Sequence, residues 1–146
     1  MAKQSGKRIN LAIIGCGGMA GAHLNGYEEL VRSGETRFRI VAAVDEATER
    51  AEAFAARLQA NLGWEVATFK SVDELLDSGV QVDGADICSP HGLHHVLSCQ
   101  LLDGGVNILC EKPIGGTVKA SKKIAATAKK HGLVAATAEQ CRRAIG

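Results

Sequence analysis

The sequence has 146 residues, 46% of them hydrophobic and 23% charged, so we expect one domain with a buried core rather than a disordered chain. Seventeen basic and sixteen acidic residues leave a net charge of +1, which excludes the broad positive field that binds nucleic acid. The apolar runs are too short to cross a membrane, and five cysteines without a C-x-x-C pair predict neither a disulfide framework nor a zinc site. We therefore expect a protein of the cytoplasm, where thiols stay reduced.

The chain begins with a pattern typical of a strand, a glycine turn and a helix. Arg8 to Ile14 form a compact apolar run that ends in glycines, as a buried parallel strand does. From Met19 to Val31 apolar residues recur at helical spacing, and Ser33-Gly34 ends the predicted helix. A second β-branched run, Ile40 to Val44, predicts the next strand.

The middle of the chain repeats this alternation. An apolar stripe from Ala47 to Leu62 predicts a second helix, which Gly63 ends. Val66 to Phe69 predicts a short third strand. Ser71 and Glu74 form a capping box ahead of two leucines, so a short third helix follows.

The rest of the chain contains three more strand-like apolar runs: Ala85 to Cys88, Val106 to Cys110 and Val134 to Ala138. The segments between them are helical, one ending at Gly104-Gly105 and one running from the capping residue Thr117 through His131. Six strands alternating with helices predict right-handed β-α-β crossovers and a parallel sheet covered on both faces. The predicted fold class is a doubly wound α/β fold of the Rossmann type, as a single three-layer domain over residues 1–146.

The turn after the first strand contains a glycine motif, G-x-G-x-x-A. Its residues are our first candidates for cofactor binding: Gly15, Cys16, Gly17, Gly18, Met19 and Ala20. Gly15 permits a tight turn, Gly17 lets a pyrophosphate approach the backbone, and Ala20 allows close helix packing. A phosphate would then lie at the N-terminus of the helix. A bare strand-to-helix connection and an S-adenosylmethionine loop remain alternatives.

Asp45, at the end of the second strand, adds to the case for a dinucleotide. A carboxylate at this place accepts hydrogen bonds from both hydroxyls of the adenosine ribose and repels a 2′-phosphate, which favours NAD over NADP. Capping of the following helix is the alternative role, and the two roles are compatible. Arg50 lies nearby and would offset the carboxylate charge against a phosphate.

Two further segments follow the fourth and fifth strands: Ser89-Pro90-His91-Gly92-Leu93-His94 and Cys110-Glu111-Lys112-Pro113. With the glycine motif they make the chain resemble the N-terminal domain of the Gfo/Idh/MocA oxidoreductases, in which a glycine motif, T-P-x-x-x-H and E-K-P occur in this order. The C-terminal stretch Glu139-Gln140-Cys141-Arg142-Arg143 is similar to the family's E-N-x-R-R. The chain departs from the pattern at Ser89, Ala20 and Gln140, where the family more often has threonine, glycine and asparagine.

The resemblance implies NAD as cofactor and a role for each matched residue. Further candidates for cofactor contacts are Ser89, Pro90, His91, His94, Glu111, Lys112 and Gln140. Glu111 would bind the nicotinamide ribose, Lys112 would act at the reacting carbon as the catalytic residue, and Pro113 would fix the turn, a cis bond being one way to do so. An exposed loop lysine beside Glu111 is the alternative for Lys112, and a structural hydrogen-bonding role is the alternative for His94. His91 and His95 match no family position and are expected at the surface, so a metal site is disfavoured.

The function implied is hydride transfer between nicotinamide and a sugar-like or polyol-like alcohol. In the family a second, C-terminal domain completes the substrate pocket and forms the oligomer interface. We expect that domain to be absent here, so that the chain alone binds NAD with negligible turnover, and homo-oligomers through exposed apolar surface are possible. The alternatives are a stand-alone NAD-binding sensor or interaction module and an S-adenosylmethionine-binding, methyltransferase-like domain, in which E-K-P has no role.

Overall fold

The computed structural model describes residues 8–139 and confirms the predicted alternation of strands and helices. Gln140 and the basic residues after it lie outside the described residues. The six strands are β1 Ile9–Ile14, β2 Phe38–Val44, β3 Ala67–Phe69, β4 Gly84–Ile87, β5 Asn107–Glu111 and β6 Ala135–Ala138. The five α-helices are α1 Gly18–Arg32, α2 Thr48–Leu62, α3 Val72–Asp77, α4 His94–Asp103 and α5 Val118–His131. A single 3-10 turn, His91–Leu93, precedes α4.

All six strands form one parallel sheet in the order β3-β2-β1-β4-β5-β6. The chain moves outward from β1 to β3, returns to the middle at β4 and then moves outward in the other direction. β1 and β4 are therefore neighbours whose connections leave in opposite directions. Doubly wound folds bind their ligands at this switch point, outside the carboxyl ends of the strands.

Two apolar cores cover the two faces of the sheet, which makes the three layers that the strand patterns predict. One core packs Leu24 of α1 and Leu58 of α2 against Ile13 and Ile40 of the sheet. The opposite core packs α4 and α5 residues, among them Leu101 and Ile124, against the other face. Strands buried on both faces explain why their sequences are continuous apolar runs rather than alternating ones.

The helix ends follow the predicted capping chemistry. Ser71 Oγ accepts a hydrogen bond of 3.2 Å from the backbone N–H of Glu74, as the capping box requires. Thr117 Oγ1 accepts one of 3.1 Å from Ala120 N–H. Gly63 ends α2 in the left-handed region, with φ of 67°. Within residues 8–139, no helix is both long enough and apolar enough to span a membrane.

Candidate functional site

A crevice opens at the switch point, where β1, β2 and β4 end side by side. It includes a cavity of about 390 Å³ lined by Gly15, Gly17, Asp45, Arg50, Cys88, Ser89, Pro90 and His91. The glycine turn, the acid after β2 and the segment after β4 were singled out separately in the sequence. Parallel pairing brings them together, because it places the carboxyl ends of neighbouring strands at one edge of the sheet.

The glycine turn has the geometry that its sequence predicts. Gly15 has φ of 87°, and a Cβ at this position would lie 2.8 Å from Ser89 N, so the turn requires glycine. Gly17 is the N-cap of α1, and no side chain among the described residues caps this helix end. A Cβ at Gly17 or Gly18 would meet no described atom within 4 Å. The first-turn N–H groups of α1, which have no acceptor within the helix, therefore face open space suited to a phosphate.

The other two residues of the motif differ in exposure. Ala20 belongs to α1 and is fully buried, as close packing of the helix on the sheet requires. Met19 is 45% exposed. Cys16 is half-buried, and burial together with the nearby Asp45 carboxylate raises the pKa of its thiol to about 12. Cys16 is therefore a neutral residue of the turn rather than a reactive thiolate.

Asp45 is buried and bound to the backbone on both sides. Its Oδ2 accepts a hydrogen bond of 2.9 Å from Cys16 N–H, and its Oδ1 accepts one of 2.9 Å from Ala47 N–H. Arg50 Nη1 lies 3.7 Å from Oδ1. The N-cap of α2 is Ala47 rather than Asp45, yet Asp45 satisfies the N–H group just before the helix. The structure therefore shows a capping contact made by Asp45, and its role in ligand binding stays a prediction.

Ser89 supplies an independent sign that a polar ligand belongs in the crevice. Its Oγ is buried and makes no hydrogen bond to any described residue. Buried hydroxyl groups are usually paired, and among the described residues only those of Ser89 and Ser98 are not; of the two, Ser89 is the one that lines the crevice. The Ser89 hydroxyl, the Asp45 carboxylate and the amides of the glycine turn together fit a ribose and a phosphate. The residues present therefore match the dinucleotide that the motif predicts.

The crevice continues beyond Asp45 into an apolar pocket of about 210 Å³. Its walls include Val44, Val72, Leu93 and Leu97. The sequence analysis did not single out these residues as site residues, because apolar side chains on strands and helices indicate a core rather than a ligand pocket. A slot of this kind suits a flat heterocyclic ring.

His94 is a structural residue in the described chain. It is fully buried, with Nδ1 at 2.8 Å from Pro113 O and Nε2 at 2.9 Å from Ser89 O. The ring thus joins the segment after β4 to the segment after β5. Both nitrogens being occupied supports the structural alternative. His91 is exposed at the mouth of the cavity and His95 is half-buried, so the expectation of a surface position suits His91 better.

The E-K-P segment lies at the carboxyl end of β5, and strand β5 extends one residue further than predicted, to Glu111. Glu111 is 8% exposed, and its Oε2 accepts a hydrogen bond of 2.9 Å from Lys112 N–H. The Lys112–Pro113 peptide bond is cis. Lys112 itself is half-buried rather than fully exposed, and its catalytic role stays a prediction.

The sequence analysis missed the partner of Glu111. Glu111 Oε1 lies 3.0 Å from Nε2 of His23, a residue of α1 whose other ring nitrogen contacts Asp86 of β4. The available signal was Asp86, a charged residue inside the otherwise apolar run Ala85 to Cys88. A buried charge on a strand requires a partner, although sequence alone does not show which one.

Comparison with known proteins agrees with this site. Residues 9–139 match the family GFO_IDH_MocA, described as an oxidoreductase family with an NAD-binding Rossmann fold. The chain is 30% identical over 118 residues to an inositol 2-dehydrogenase of Rubrobacter xylanophilus. It is 30% identical over 97 residues to a scyllo-inositol 2-dehydrogenase (NADP(+)) of Bacillus subtilis. These matches cover 81% and 66% of this chain.

A solved structure shows the same fold. The crystal structure of an oxidoreductase from Thermotoga maritima superposes with a TM-score of 0.80 at 33% identity, over 93% of this chain and 39% of that one. The matches to the two curated dehydrogenases span 31% and 28% of their lengths. The chain therefore spans about a third of the proteins it resembles.

Proposed function

Because the chain belongs to the Gfo/Idh/MocA family of oxidoreductases, with its NAD-binding Rossmann fold, we propose that it is the dinucleotide-binding part of a dehydrogenase acting on a polyol-like alcohol. The relatives named above are inositol dehydrogenases, which supports a cyclic or linear polyol as the substrate class. Membership of this family also argues against the methyltransferase-like alternative.

One arrangement carries the proposal: the glycine turn, Asp45 and Ser89, whose buried hydroxyl has no described partner, line one crevice. In the proposed complex the first turn of α1 binds the pyrophosphate, and Asp45 binds the adenosine ribose. The Asp45 carboxylate is already held by two backbone N–H groups, so it needs little reorganisation to bind sugar hydroxyls. The same charge disfavours a 2′-phosphate, which supports NAD over NADP even though one relative is named for NADP.

In the proposed enzyme, the E-K-P segment at the carboxyl end of β5 supplies the groups that act on the alcohol substrate. The bound nicotinamide ring would accept or return the hydride. Lys112 would stabilise negative charge on the alcohol oxygen and exchange its proton, as a positioned amine can. Glu111, buried beside it, would bind the nicotinamide ribose. Contact of Gln140 with the cofactor stays a prediction, since this residue lies outside the described chain.

Several parts of the proposal concern the whole enzyme. We propose that the substrate is bound mainly by residues beyond those described, so that the chain alone binds NAD with negligible turnover. The free cysteines Cys16, Cys88, Cys99 and Cys110 support a reducing compartment such as the cytoplasm. Exposed apolar residues such as Val118 and Val134, at 73% and 63%, support self-association or contact with a further domain.

The test is a thermal unfolding assay of the chain with NAD, NADP and S-adenosylmethionine in parallel. A ligand that binds the native state raises the melting temperature by mass action. We expect a shift with NAD, a smaller one with NADP and none with S-adenosylmethionine. A shift with S-adenosylmethionine alone would overturn the oxidoreductase assignment, and no shift with either dinucleotide would reject the binding site.

A further inference from the structure

A half-buried histidine lies between two carboxylates. His23 on α1 has Nδ1 at 2.7 Å from Asp86 Oδ2 on β4 and Nε2 at 3.0 Å from Glu111 Oε1 on β5. The His23 side chain is 19% exposed and that of Asp86 only 2%. We refer to His23, Asp86 and Glu111 as the carboxylate–imidazole network.

Burial destabilises the Asp86 carboxylate at its position on β4, and the contacts of this network offset that effect. Every residue of β4 is buried, and an ionised carboxylate without partners is strongly destabilised in such surroundings. The Tyr27 hydroxyl donates a hydrogen bond of 2.8 Å to Asp86 Oδ2, and the Cys88 thiol lies 3.7 Å from Oδ1. These contacts, together with a positive charge on His23, offset the desolvation of the carboxylate.

The geometry of the network favours a protonated ring. Both ring nitrogens of His23 face carboxylate oxygens, which accept hydrogen bonds when ionised. With both carboxylates ionised, both bonds form only if each nitrogen carries a proton. The hydrogen bond to Asp86 is the largest cause that raises the pKa of His23 to about 9, and Glu111 adds to it against the opposing effect of burial. The ring is therefore an imidazolium at neutral pH.

A proton explains the arrangement better than a metal ion. His23, Asp86 and Cys88 do offer potential ligand atoms within 4.8 Å of one another. However, the 2.7 Å between His23 Nδ1 and Asp86 Oδ2 is a hydrogen-bond distance. The contact between His23 and Asp86 is therefore that of a proton shared by two side chains, and metal analysis of the purified chain tests the other possibility.

We propose that His23 is a positioning residue for hydride transfer: its imidazolium fixes Glu111, and through it the Lys112 segment, relative to α1. The inference rests on the proposed function. The first turn of α1 faces the phosphate site, and His23 follows on the same helix. Glu111 accepts a hydrogen bond from Lys112 N–H as well as from His23. A dinucleotide spanning the crevice contacts both ends at once, so His23 sets the spacing at which phosphate and nicotinamide ribose are bound together.

Deprotonation of His23 would remove the contact that fixes Glu111 and the Lys112 segment relative to α1. The titratable groups that face the ring are Asp86 and Cys88 from β4, Glu111 from β5 and Tyr27 near it on the same helix. A neutral ring donates to one carboxylate at most, and the two carboxylates then repel each other without a cation between them. Glu111 is no longer fixed, and affinity for the dinucleotide falls.

The test measures NADH binding by the chain from its nicotinamide fluorescence, as a function of pH. Wild-type affinity should be constant near neutral pH and fall as the pH rises through about 9. His23→Gln should bind NADH about tenfold more weakly at neutral pH, as expected for the loss of one charge-assisted hydrogen bond. Its NADH affinity should show no step, that is, no fall as the pH rises through about 9. Asp86→Asn keeps the side-chain shape but removes a charge that raises the His23 pKa, so the step should move to lower pH.

A matched control is His131→Gln. His131 Nε2 lies 2.8 Å from Asp103 Oδ1 at the C-terminal end of α5, so this variant also removes one imidazole–carboxylate contact. It should leave NADH affinity and the pH profile unchanged, because the segment after α5 lies beside the amino end of β5, where Val134 N–H donates to Asn107 Oδ1, at the opposite edge of the sheet from the crevice.

The outcomes separate this inference from the proposed function. If the wild-type chain binds no NADH at any pH, both are rejected. If it binds, and His23→Gln and Asp86→Asn keep the wild-type affinity and pH profile, only the positioning role is rejected. Should His23→Gln fail to fold, the position of the step in Asp86→Asn decides. One bound metal ion per purified chain would also overturn the inference.

Discussion

Asp45 Oδ2 accepts a hydrogen bond of 2.9 Å from the backbone N–H of Cys16, which ties the end of β2 to the glycine turn after β1. The carboxylate that would bind the adenosine ribose therefore also holds the turn that would bind the phosphates. A change at Asp45 alters both parts of the site, and a variant that keeps an acceptor separates the two effects.

We predict that Asp45→Ala weakens NAD binding by about tenfold, in line with the loss of one hydrogen bond to a charged group. NADP affinity should change less, because the repulsion of its 2′-phosphate is removed at the same time. The preference for NAD therefore narrows. Isothermal titration with both dinucleotides measures the two affinities. Unchanged NAD affinity would reject the role of Asp45.

Asp45→Asn is the matched control for that experiment. Its amide oxygen can still accept the Cys16 N–H, but the negative charge is gone. We expect the turn to keep its geometry and NADP binding to improve relative to Asp45→Ala. If both variants lose NAD affinity equally and neither gains NADP affinity, the contribution of Asp45 is structural rather than electrostatic.

Two glycines of the motif should respond differently to alanine. Gly17→Ala should fold with a loss of about 1 kcal/mol or less, because no described atom lies within 4 Å of the added Cβ. It should nevertheless lose most of its NAD affinity, since the methyl group fills the space in front of the helix N-terminus. Gly15→Ala should lose on the order of 3 kcal/mol of stability, from its positive φ and the clash with Ser89 N.

Urea unfolding and NAD titration of both glycine variants check this contrast. Gly26→Ala, further along α1 and outside the glycine motif, serves as the control, since its Cβ also meets no described atom within 4 Å and alanine favours a helix. A Gly17→Ala protein that binds NAD as tightly as the wild type would show that phosphates do not approach this amide.

The stability of the fold should depend on pH through His23. The folded-state pKa of His23, about 9, lies above the 6.5 that is usual for histidine, so its contribution is complete below pH 6.5 and is lost as the pH rises through about 9. The difference in unfolding free energy between wild type and His23→Gln should shrink over this window. Urea titrations at several pH values measure it, and a difference that is constant with pH would contradict an imidazolium in the folded state.

A second buried charge provides a test of stability without an effect on binding. Glu28 of α1 is 4% exposed and is bound by Arg57 Nε and Nη2 at 3.0 and 2.9 Å and by Asn61 Nδ2 at 2.8 Å from α2. Its pKa is lowered, first by Arg57, so the contribution is present at neutral pH and lost in acid. Glu28→Gln should cost about 1 to 3 kcal/mol and leave NAD affinity unchanged.

The neighbouring Glu29→Gln is the control for this substitution. Glu29 is 78% exposed, and Arg32 Nη1 lies 3.9 Å from it, so its loss should change stability by about 0.5 kcal/mol or less. Equal effects of the two substitutions would show that the Glu28 contacts with α2 do not stabilise the packing of α1 on α2.

Local signals made the crevice predictable from sequence. Glycine is the residue type that a positive φ favours, which explains Gly15 in the turn and Gly63 at the end of α2. Serine is a preferred N-cap residue, which explains Ser71 at the start of α3. Asp45 was predicted as a site residue because it comes at the carboxyl end of a predicted parallel strand, and Glu111 because the E-K-P segment resembles a family motif. In contrast, the apolar walls of the pocket around Leu97 were not recognisable, since residues such as Val72 and Leu97 do not differ in type from those of the core.

The sequence by itself determined the order of strands and helices, the fold class and the loops that surround the crevice, because turn chemistry and hydrophobic periodicity act over a few residues. Only the tertiary structure decided which side chains meet across the sheet. His23 is 63 residues from Asp86 and 88 from Glu111 along the chain, and neither pairing has a local signal. Contacts of this kind depend on strand order and on the packing of α1 over β4 and β5, which no short stretch of sequence specifies.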